Sequence, residues 1–435
     1  MTPSARAWRL GLAAWLLIAV FTRTGTSSSH EWSRLGTVES IVERQNFWLE
    51  ESKFRGTRDK IYRDGHYYSH QPPLLATLTS PVYWVLHQGG LRLSNSAPRD
   101  PAFYLFVLFT NGVAFAVTVV MLKEALALLG APGLLATFAA LVLPFGTWLF
   151  PYGVVSNNHG ISAALLMCLA YAMLSIEQSR STIWSAGLLG ASLGLMTAFE
   201  VVPLVSFVPA AALFAWWRRD RIAPVDRLAM ATWFVLPLLA HAVLNVPITG
   251  DLVPAGFHTE LFDFEGTTFT AGELTGSIKH TSAAALSAYT VDALFSGKGF
   301  FTFAPVMAIG IVTGLAGWTW WARARGTQMV LLLGSAASLA AALMTTNNLG
   351  GAAVGFRHAA YLAPAWLVLL APLFASRRRA AGAAAWLVLL IAALSAVVLW
   401  WYAAQQPWID LRLPVPIPFT AAGTPADAFA GTIIL

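Results

Sequence analysis

A polar segment between two apolar stretches carries most of the side chains in this sequence that could do chemistry. It runs from His30 to Pro73, with a histidine and a glutamate at its start and the sequence DKIYRDGHYYSHQPP at its end. Carboxylates and imidazoles can take protons from a substrate, and cationic or phenolic groups can hold an anion such as a phosphate. Because most of the remaining chain is apolar, chemistry is predicted in this segment.

Glu31 is the candidate general base. It follows the first apolar stretch closely and lies near His30 and Arg34. Apolar residues then recur at helical spacing, which indicates an amphipathic helix on the membrane surface: Leu35, Val38, Ile41, Val42 and Leu49. A carboxylate held there could take a proton from an incoming nucleophile. The alternative is a helix-terminal carboxylate that the helix dipole favours.

The second block of the segment suits an anionic group. It concentrates cationic and phenolic side chains in a loop bounded by glycine and proline: Lys60, Tyr62, Arg63, His66, Tyr67, Tyr68 and His70. Such donors beside a bilayer suit a phosphate that remains attached to a lipid. The alternative is a solvated turn at Asp64-Gly65 with aromatic residues of the membrane interface.

The composition places the chain among polytopic membrane proteins. Hydrophobic residues make up 57% and charged residues 11% of its 435 residues, and the mean hydropathy is +0.62, beyond the values of soluble domains. A membrane-spanning helix takes about 20 apolar residues. Eleven runs qualify, near 8–22, 103–122, 132–152, 160–176, 183–199, 201–217, 228–247, 300–322, 328–345, 359–375 and 381–402. The run 74–88 is shorter and is predicted to be an interfacial or re-entrant helix.

The basic residues predict the orientation. With the amino terminus inside, every short basic loop falls on the cytoplasmic side: Arg6, Arg9, Lys123, Arg180, Arg218, Arg219, Arg221, Arg227, Arg323, Arg325, Arg377, Arg378 and Arg379. The outer side then receives loops 23–102 and 248–299 and the tail 403–435. The first apolar stretch is expected to remain as a helix, since no clear signal-peptidase site precedes Arg23.

Four more polar residues are predicted to reach the outer level of Glu31. Asn158 and His159 begin one span, Glu200 lies between two spans, and Arg357 begins another. Ionisable groups at membrane depth are costly and are therefore functional candidates. His159 is equally explained as a helix cap or a packed imidazole, and Glu200 as a structural partner of Arg357.

Several features exclude other classes of site. The pI near 9.6 and the charge of +6 come largely from the predicted cytoplasmic anchors, so nucleic acid is not an expected partner. Cys168 is the single cysteine and cannot form an intrachain disulfide. Asp263-Phe264-Glu265 imitates the acidic pair of nucleotide-sugar enzymes, but nucleotide sugars are cytoplasmic and this loop is predicted outside. Lys298 is expected to be a snorkelling anchor. No cofactor is expected, and a divalent metal is not indicated.

The outer loop resembles the first outer loop of the GT-C membrane glycosyltransferases, especially the bacterial group related to protein mannosyltransferases and aminoarabinose transferases. The matching residues are Glu31, Asp59-Lys60, Asp64-Gly65-His66-Tyr67-Tyr68-Ser69 and Pro72-Pro73. Segments 156–159, 194–200, 294–305 and 348–358 are similar to the same group. The resemblance covers about residues 8–375.

This resemblance implies a polyprenyl-phosphate sugar as donor, used on the outer face of the plasma membrane, with an acidic residue of the first loop as base. Glu31 matches that position. The group carries an acidic residue and a lysine where this chain has His70 and Gln71, so Lys60, Arg63, His66 or Arg357 is expected to meet the lipid phosphate instead. The predicted substrate-binding residues are Asp59, Lys60, Arg63, His66, Tyr67, Tyr68, His70, Gln71, Asn158, His159, Glu200 and Arg357.

The sequence thus predicts an all-α polytopic membrane protein with a GT-C-like fold. Residues 1–375 are expected to form the catalytic domain, and 376–435 the last membrane helix with an outer tail. The expected function is inverting transfer of a sugar to a glycan, lipid or protein acceptor of the envelope, at the bacterial inner membrane. A lipid or polysaccharide transporter is the alternative, although no matched pair of broken helices marks inverted halves.

Overall fold

The computed structural model is almost entirely helical, as the sequence predicts. It describes residues 2–26, 28–96, 99–200, 204–267, 278–350, 353, 355–376, 378–404 and 407–408. The α-helices are α1 (Ala5–Phe21), α2 (Ser29–Arg44), α3 (Pro73–Gln88), α4 (Pro101–Val107), α5 (Val113–Leu128), α6 (Gly133–Phe145), α7 (Leu149–Gly153), α8 (Asn158–Gln178), α9 (Ile183–Phe199), α10 (Phe207–Trp217), α11 (Pro224–Thr249), α12 (Ala283–Phe295), α13 (Phe300–Phe303), α14 (Pro305–Ala316), α15 (Arg325–Thr345), α16 (Ala363–Leu369), α17 (Ala371–Ala375) and α18 (Arg379–Leu399).

Short helical turns and one hairpin complete the described structure. The 3₁₀ turns are Ala255–Phe257, Thr259–Phe262, Trp320–Ala324 and Arg357–Leu362, and the π-helical turns are Leu108–Gly112 and Trp400–Ala404. Strands β1 (Lys60–Arg63) and β2 (His66–Ser69) pair antiparallel. Asp64 and Gly65 join them with φ of 51° and 88°. Two positive φ values suit a tight two-residue hairpin turn, so the predicted Asp-Gly turn is confirmed.

Among the described residues, six helical segments are long and apolar enough to cross a membrane: Pro101–Leu128, Asn158–Gln178, Pro224–Thr249, Trp320–Thr345, Arg357–Ala375 and Arg379–Leu399. A seventh would be the pair Ala283–Phe303 and Pro305–Ala316, which is bent by 94°. Helices α6, α9 and α10 are apolar but shorter. The polytopic membrane class therefore stands, and the count of eleven spans stays a prediction.

Close packing of small residues holds the membrane helices together. A Cβ added to Gly190 of α9 would lie 2.1 Å from the carbonyl oxygen of Met230, and one added to Gly194 would lie 2.4 Å from that of Phe234. The two glycines are four residues apart, as are their partners on α11. The backbones of α9 and α11 therefore approach each other in parallel, as small residues at this spacing allow in membranes.

A buried carboxylate joins three helices at the predicted cytoplasmic end. Glu177, near the end of α8, accepts hydrogen bonds from the backbone N–H groups of Gly326 (2.9 Å) and Thr327 (3.0 Å) in the first turn of α15. It also accepts two from the guanidinium of Arg218, which follows α10. A carboxylate at a helix amino terminus satisfies N–H groups that have no partner within the helix.

The first outer loop folds as a compact unit on the membrane helices. Helix α2 covers the predicted amphipathic region, but the helix ends at Arg44, with Gln45 in the left-handed conformation, so Leu49 lies beyond it. The apolar face of α2 packs against α3 and α4 through Leu35, Val38, Tyr83 and Phe103. Interfacial placement of α3 and the domain division at residue 375 stay predictions. The predicted outer tail from residue 409 lies outside the described residues.

Candidate active site

Helix α2 presents two rows of polar side chains to its neighbours. Ser29 and Ser33, one turn apart, bind the start of the hairpin: the Ser29 hydroxyl accepts from the backbone N–H of Asp59 at 3.2 Å, and the Ser33 hydroxyl donates to the carbonyl of Asp59 at 2.5 Å. His30 and Arg34 form the adjacent row, since residues four apart share a helix face. This second row faces the membrane helices and their polar ends.

Glu31 is completely buried beside that row. Its Oε1 accepts a hydrogen bond from the backbone N–H of Ser156 at 3.1 Å, and its Oε2 accepts one from the hydroxyl of Thr26 at 3.2 Å. Ser156 lies just before α8, so the carboxylate connects the outer loop to a membrane helix. The two hydrogen bonds fix the position of this carboxylate.

His30 lies between a cation and a carboxylate. Nη2 of Arg357 lies 2.6 Å from Nε2 of His30, and Nδ1 of His30 lies 2.8 Å from Oδ2 of Asp59. A guanidinium can only donate, so Nε2 accepts and the ring proton is assigned to Nδ1, which lies beside the Asp59 carboxylate. Burial and the charge of Arg357 lower the pKa of His30 to about 4, which agrees with a neutral ring. The pKa of Asp59 is also lowered: burial raises it, but the contact with His30 outweighs burial.

Arg34 connects the outer loop to the end of α8. Its Nη2 donates to Oε1 of Gln71 at 2.6 Å and to Oδ1 of Asn158 at 2.5 Å. Gln71 in turn contacts Nε2 of His70 at 2.8 Å. Burial lowers the pKa of Arg34 to about 10, so its guanidinium stays protonated near neutral pH. Burial also lowers the pKa of His70.

Glu200 closes the network from the end of α9. Its Oε1 accepts from Nδ2 of Asn158 and lies 2.6 Å from Nδ1 of His159. The His159 ring packs between Tyr152 and Tyr361, at centroid distances of 5.7 and 6.3 Å. The structure therefore differs from the suggested pairing of Glu200 with Arg357. Glu200 contacts Asn158 and His159, and Arg357 donates its hydrogen bond to His30.

We define the central cluster as the predicted site residues that this network joins, with the two α2 residues His30 and Arg34: His30, Glu31, Arg34, Asp59, His70, Gln71, Asn158, His159, Glu200 and Arg357. The cluster brings together residues from the outer loop, from the start of α8, from the end of α9 and from the start of the span at Arg357. The predicted convergence of Asn158, His159, Glu200 and Arg357 with the outer loop is observed.

The structure places the other predicted residues on the hairpin. Nζ of Lys60 donates to the carbonyl of Arg55 at 3.2 Å. Arg63 pairs with Asp64 at 3.0 Å and donates to the carbonyl of Val246 near the end of α11.

The remaining hairpin residues contact the segment after α2. His66 stacks on Trp48 at 3.9 Å, and the backbone N–H of Tyr67 donates to Glu50. Tyr68 is buried with Ile61. Lys60, Arg63 and His66 contact Arg55, Val246 and Trp48. The expected basic groups of the donor site therefore separate, and Arg357 alone of them joins the central cluster.

Two residues beside the central cluster were missed or misjudged from the sequence. Lys298, in the break between α12 and α13, is only 3% exposed, so it is buried rather than a snorkelling anchor. Its charge acts on His358 together with that of Arg357. Nε2 of His358 is buried and has no hydrogen-bond partner among the described residues. Two adjacent ionisable residues, Arg357 and His358, at the start of a span were the available signal for His358.

Within the described residues, no group of three or more histidine, cysteine, aspartate or glutamate side chains is arranged to hold a metal ion. The expectation that the protein works without a cofactor stays a prediction.

Comparisons with known proteins identify the fold. No protein-family model and no curated protein matches the chain. Among solved structures, the oligosaccharyltransferase of Archaeoglobus fulgidus, crystallised with Zn and sulfate, is 14% identical, with a TM-score of 0.52 over 91% of this chain and 53% of that chain.

Two structures of ArnT from Cupriavidus metallidurans also match. The one bound to undecaprenyl phosphate is 12% identical, with a TM-score of 0.48 over 85% of this chain and 60% of that chain. The apo form is 13% identical, with a TM-score of 0.47 over 86% and 60%. This chain thus spans between half and two thirds of the length of the solved structures. The likeness to the oligosaccharyltransferase confirms the predicted all-helical, GT-C-like membrane fold.

Proposed function

We propose that this protein is an inverting glycosyltransferase that moves a sugar from a polyprenyl-phosphate carrier to an envelope acceptor on the outer face of a bacterial inner membrane. The observation that carries the proposal is the central cluster, in which the buried carboxylate of Asp59 lies beside His30, the hydrogen-bond partner of Arg357. The buried carboxylate of Glu31 lies close enough for its charge to act on Arg34. The GT-C-like fold and the sequence resemblance of the outer loop support it.

The proposed reaction is a single displacement. Glu31 takes the proton of an acceptor hydroxyl while that oxygen attacks the anomeric carbon of the donor sugar. The bond between the anomeric carbon and the phosphate oxygen breaks, and its electron pair leaves with the polyprenyl phosphate. Attack from the side opposite the leaving group inverts the anomeric configuration.

The leaving phosphate needs positive charge that is already in place. Arg34 and Arg357 hold fixed positions through their bonds to Gln71, Asn158 and His30, so they need little reorganisation when charge develops. His30 is neutral and adds no charge, but its bond to Arg357 orients the guanidinium. Lys298 and the unpartnered Nε2 of His358 border the same region. We assign the phosphate to this group rather than to the cations of the hairpin.

Asp59 is the second carboxylate of the site. It is 7% exposed, whereas Glu31 is completely enclosed. Burial raises the pKa of Asp59, but the neighbouring His30, His70 and Arg357 outweigh burial and lower it. Glu31 remains the proposed base because it matches the acidic position of the family. Enclosure of a base in a structure without substrate does not exclude its role, since catalytic hydrogen bonds often form only when substrate binds.

The decisive experiment uses purified protein in detergent with radiolabelled polyprenyl-phosphate sugars and a crude envelope fraction as acceptor. A transferase releases free polyprenyl phosphate and labels the acceptor fraction without any membrane barrier. A transporter produces neither product in detergent and moves the donor only between the two sides of sealed vesicles. Absence of both products with several donor sugars, together with donor movement in vesicles, would replace the proposed function with transport.

A further inference from the structure

One face of the hairpin carries an aromatic surface that the proposed reaction leaves without a role. In the observed register Tyr62 pairs with Tyr67 and Lys60 pairs with Ser69, so these four residues share one face of the two strands. The Tyr62 and Tyr67 rings lie 5.0 Å apart, and Phe264 packs against both, at 6.4 and 5.4 Å. We call Tyr62, Tyr67 and Phe264 the aromatic face. Tyr62 is 39% exposed.

The opposite face of the hairpin fixes this surface in place. Ile61 and Tyr68 point the other way and are buried against Ile248 and Phe262. Arg63 ties the tip of the hairpin to the end of α11 through the carbonyl of Val246. The aromatic face is therefore presented by a supported strand pair and needs little ordering on binding, which favours affinity.

The aromatic face begins next to the central cluster. Asp59 immediately precedes β1, and the Ser69 hydroxyl lies 2.6 Å from that of Ser33 on α2. A strand rises about 3.3 Å per residue, so Tyr62 lies about 10 Å along the chain from Asp59. That distance corresponds to a ligand of one or two sugar rings with its reactive end at the cluster.

The polar groups at the edge of the face suit an uncharged polyhydroxylated ligand. Nζ of Lys60 lies 4.5 Å from the centre of the Tyr67 ring, and the carboxylates of Glu50 and Asp64 are partly or largely exposed beside the strands. Hydroxyl groups can accept from the ammonium and donate to carboxylates.

We propose that the aromatic face is the acceptor subsite and that it binds a saccharide ring, so that the acceptor is a glycan or glycolipid. The C–H groups of a pyranose ring pack on the face of an aromatic ring, while the phenol and ammonium groups bind its hydroxyls. This inference rests on the proposed glycosyl transfer, because it assigns the surface to the acceptor of that reaction.

The test measures saccharide binding without any donor. Protein in a sugar-free amphipol is mixed with a panel of methyl glycosides, and saturation transfer from protein to ligand is recorded by NMR. At least one glycoside should receive saturation through its ring C–H groups. Tyr62→Ala should weaken that binding about tenfold, the loss expected for one aromatic contact. Tyr62→Phe, which keeps the ring, should retain most of it.

Phe257→Ala is the matched control, because Phe257 is a 45% exposed aromatic residue of the other outer loop. It should bind like the parent protein. The inference is overturned if no glycoside receives saturation, or if Tyr62→Ala and the parent bind alike. It is also overturned if spin-labelled phospholipids in nanodiscs broaden the Tyr62 resonances, since the face would then lie in the membrane.

Failure of the proposed function has a different signature. In that case the detergent assay yields no transfer from any donor even if glycosides bind. If instead transfer is observed and Tyr62→Ala leaves the KM for the acceptor fraction unchanged, the proposed function stands and the acceptor subsite alone is wrong.

Discussion

Arg357 donates a hydrogen bond to His30 across 327 positions of the chain, at 2.6 Å. This contact assigns the proton of His30 to Nδ1, which lies 2.8 Å from Oδ2 of Asp59. One neutral imidazole therefore connects a cation at the start of a membrane span to a carboxylate of the outer loop. The bridge depends on His30 remaining uncharged, because a second proton on Nε2 would face a guanidinium.

This bridge predicts loss of stability in mild acid. The pKa of His30 is about 4 in the folded protein and 6.5 in the unfolded chain, so between these values the unfolded chain binds more protons and stability falls as the pH falls. The full effect is up to about 3 kcal/mol. Thermal melting of the protein in nanodiscs at several pH values between 7 and 4 measures it.

His30→Asn is the matched variant for the pH range between 6.5 and 4, because its amide can donate to Asp59 but does not titrate. Its melting temperature should fall less steeply from pH 6.5 to 4 than that of the parent. Some dependence should remain, since burial lowers the pKa of His70 as well. Identical slopes for parent and variant would show that His30 is protonated in the folded state.

Binding of the donor phosphate is predicted to depend on Arg34 and Arg357. A charged hydrogen bond to a phosphate contributes about 1.5 to 3 kcal/mol, so replacing either arginine by glutamine should weaken donor binding tenfold or more. Equilibrium binding of labelled polyprenyl-phosphate sugar to the purified variants measures the change. Arg357→Lys keeps the charge but not the fork of donors, so its affinity for the donor should lie between that of the parent protein and that of Arg357→Gln.

Lys60→Gln and Arg63→Gln are the controls for that measurement, because the contacts of both residues, with Arg55 and with Asp64 and Val246, lie outside the central cluster. Each should bind donor within about twofold of the parent. The reverse pattern, with loss at Lys60 or Arg63 and normal binding at Arg357, would return the phosphate to the hairpin, as the sequence resemblance alone implied.

The sequence predicted where polar residues gather but not which of them meet. The sequence was sufficient to predict that four polar residues converge, because each of them lies at the same predicted end of a membrane span: Asn158, His159, Glu200 and Arg357. The hairpin could not be resolved in the same way. Lys60 and Arg63 lie on opposite faces of β1 and bind the carbonyls of Arg55 and Val246, so neither joins the cluster although both are close to Asp59 in the sequence.

The roles of His30 and Arg34 depended on contacts that no local pattern contains. Their spacing of four residues puts them on one face of α2, but their partners Arg357 and Asn158 are distant in the chain. The burial of Lys298 could not be predicted from the sequence either, because a lysine before an apolar run is typical of an interfacial anchor. The break between α12 and α13 instead folds this residue inward.

Glu177 is predicted to be essential for stability rather than for chemistry. It is almost completely buried and receives hydrogen bonds from Arg218, Gly326 and Thr327. Removing one partner of a buried ion pair costs about 3 to 5 kcal/mol, so Glu177→Ala should lower the melting temperature strongly. Glu124→Ala is the control, since that carboxylate is hydrogen-bonded at an exposed edge. Equal melting of the two variants would contradict this role.

The orientation predicts which side of the membrane each loop faces. In a Cys168→Ser background, cysteines are introduced at Asp64, on the tip of the hairpin, and at Asp220, in the basic loop after α10. Both replaced residues are exposed. A membrane-impermeant thiol reagent should label only position 64 in intact cells and both positions after lysis. Labelling of position 220 alone in intact cells would invert the topology and move the central cluster to the cytoplasmic side.

The proposed base is tested by removing the proton acceptor while keeping the shape of the side chain. In Glu31→Gln the amide oxygen can still accept from the backbone N–H of Ser156, and the amide NH2 can donate to the hydroxyl of Thr26, so the fold should be retained. Without a general base, turnover at saturating acceptor should fall by about two orders of magnitude or more. Single-turnover transfer from labelled donor measures the chemical step, and size-exclusion chromatography checks the fold.

Two further carboxylates decide the assignment of the base. Asp64→Asn should leave turnover unchanged, because Asp64 lies at the hairpin tip with a 75% exposed side chain and asparagine tolerates its positive φ. Asp59→Asn removes the negative charge beside His30 and should reduce donor binding as well as turnover, because the ring that orients Arg357 loses this charged neighbour. If Glu31→Gln turned over normally while Asp59→Asn lost the chemical step with donor binding intact, Asp59 would be the base. Glu31 would then be a structural carboxylate that ties α2 to the start of α8.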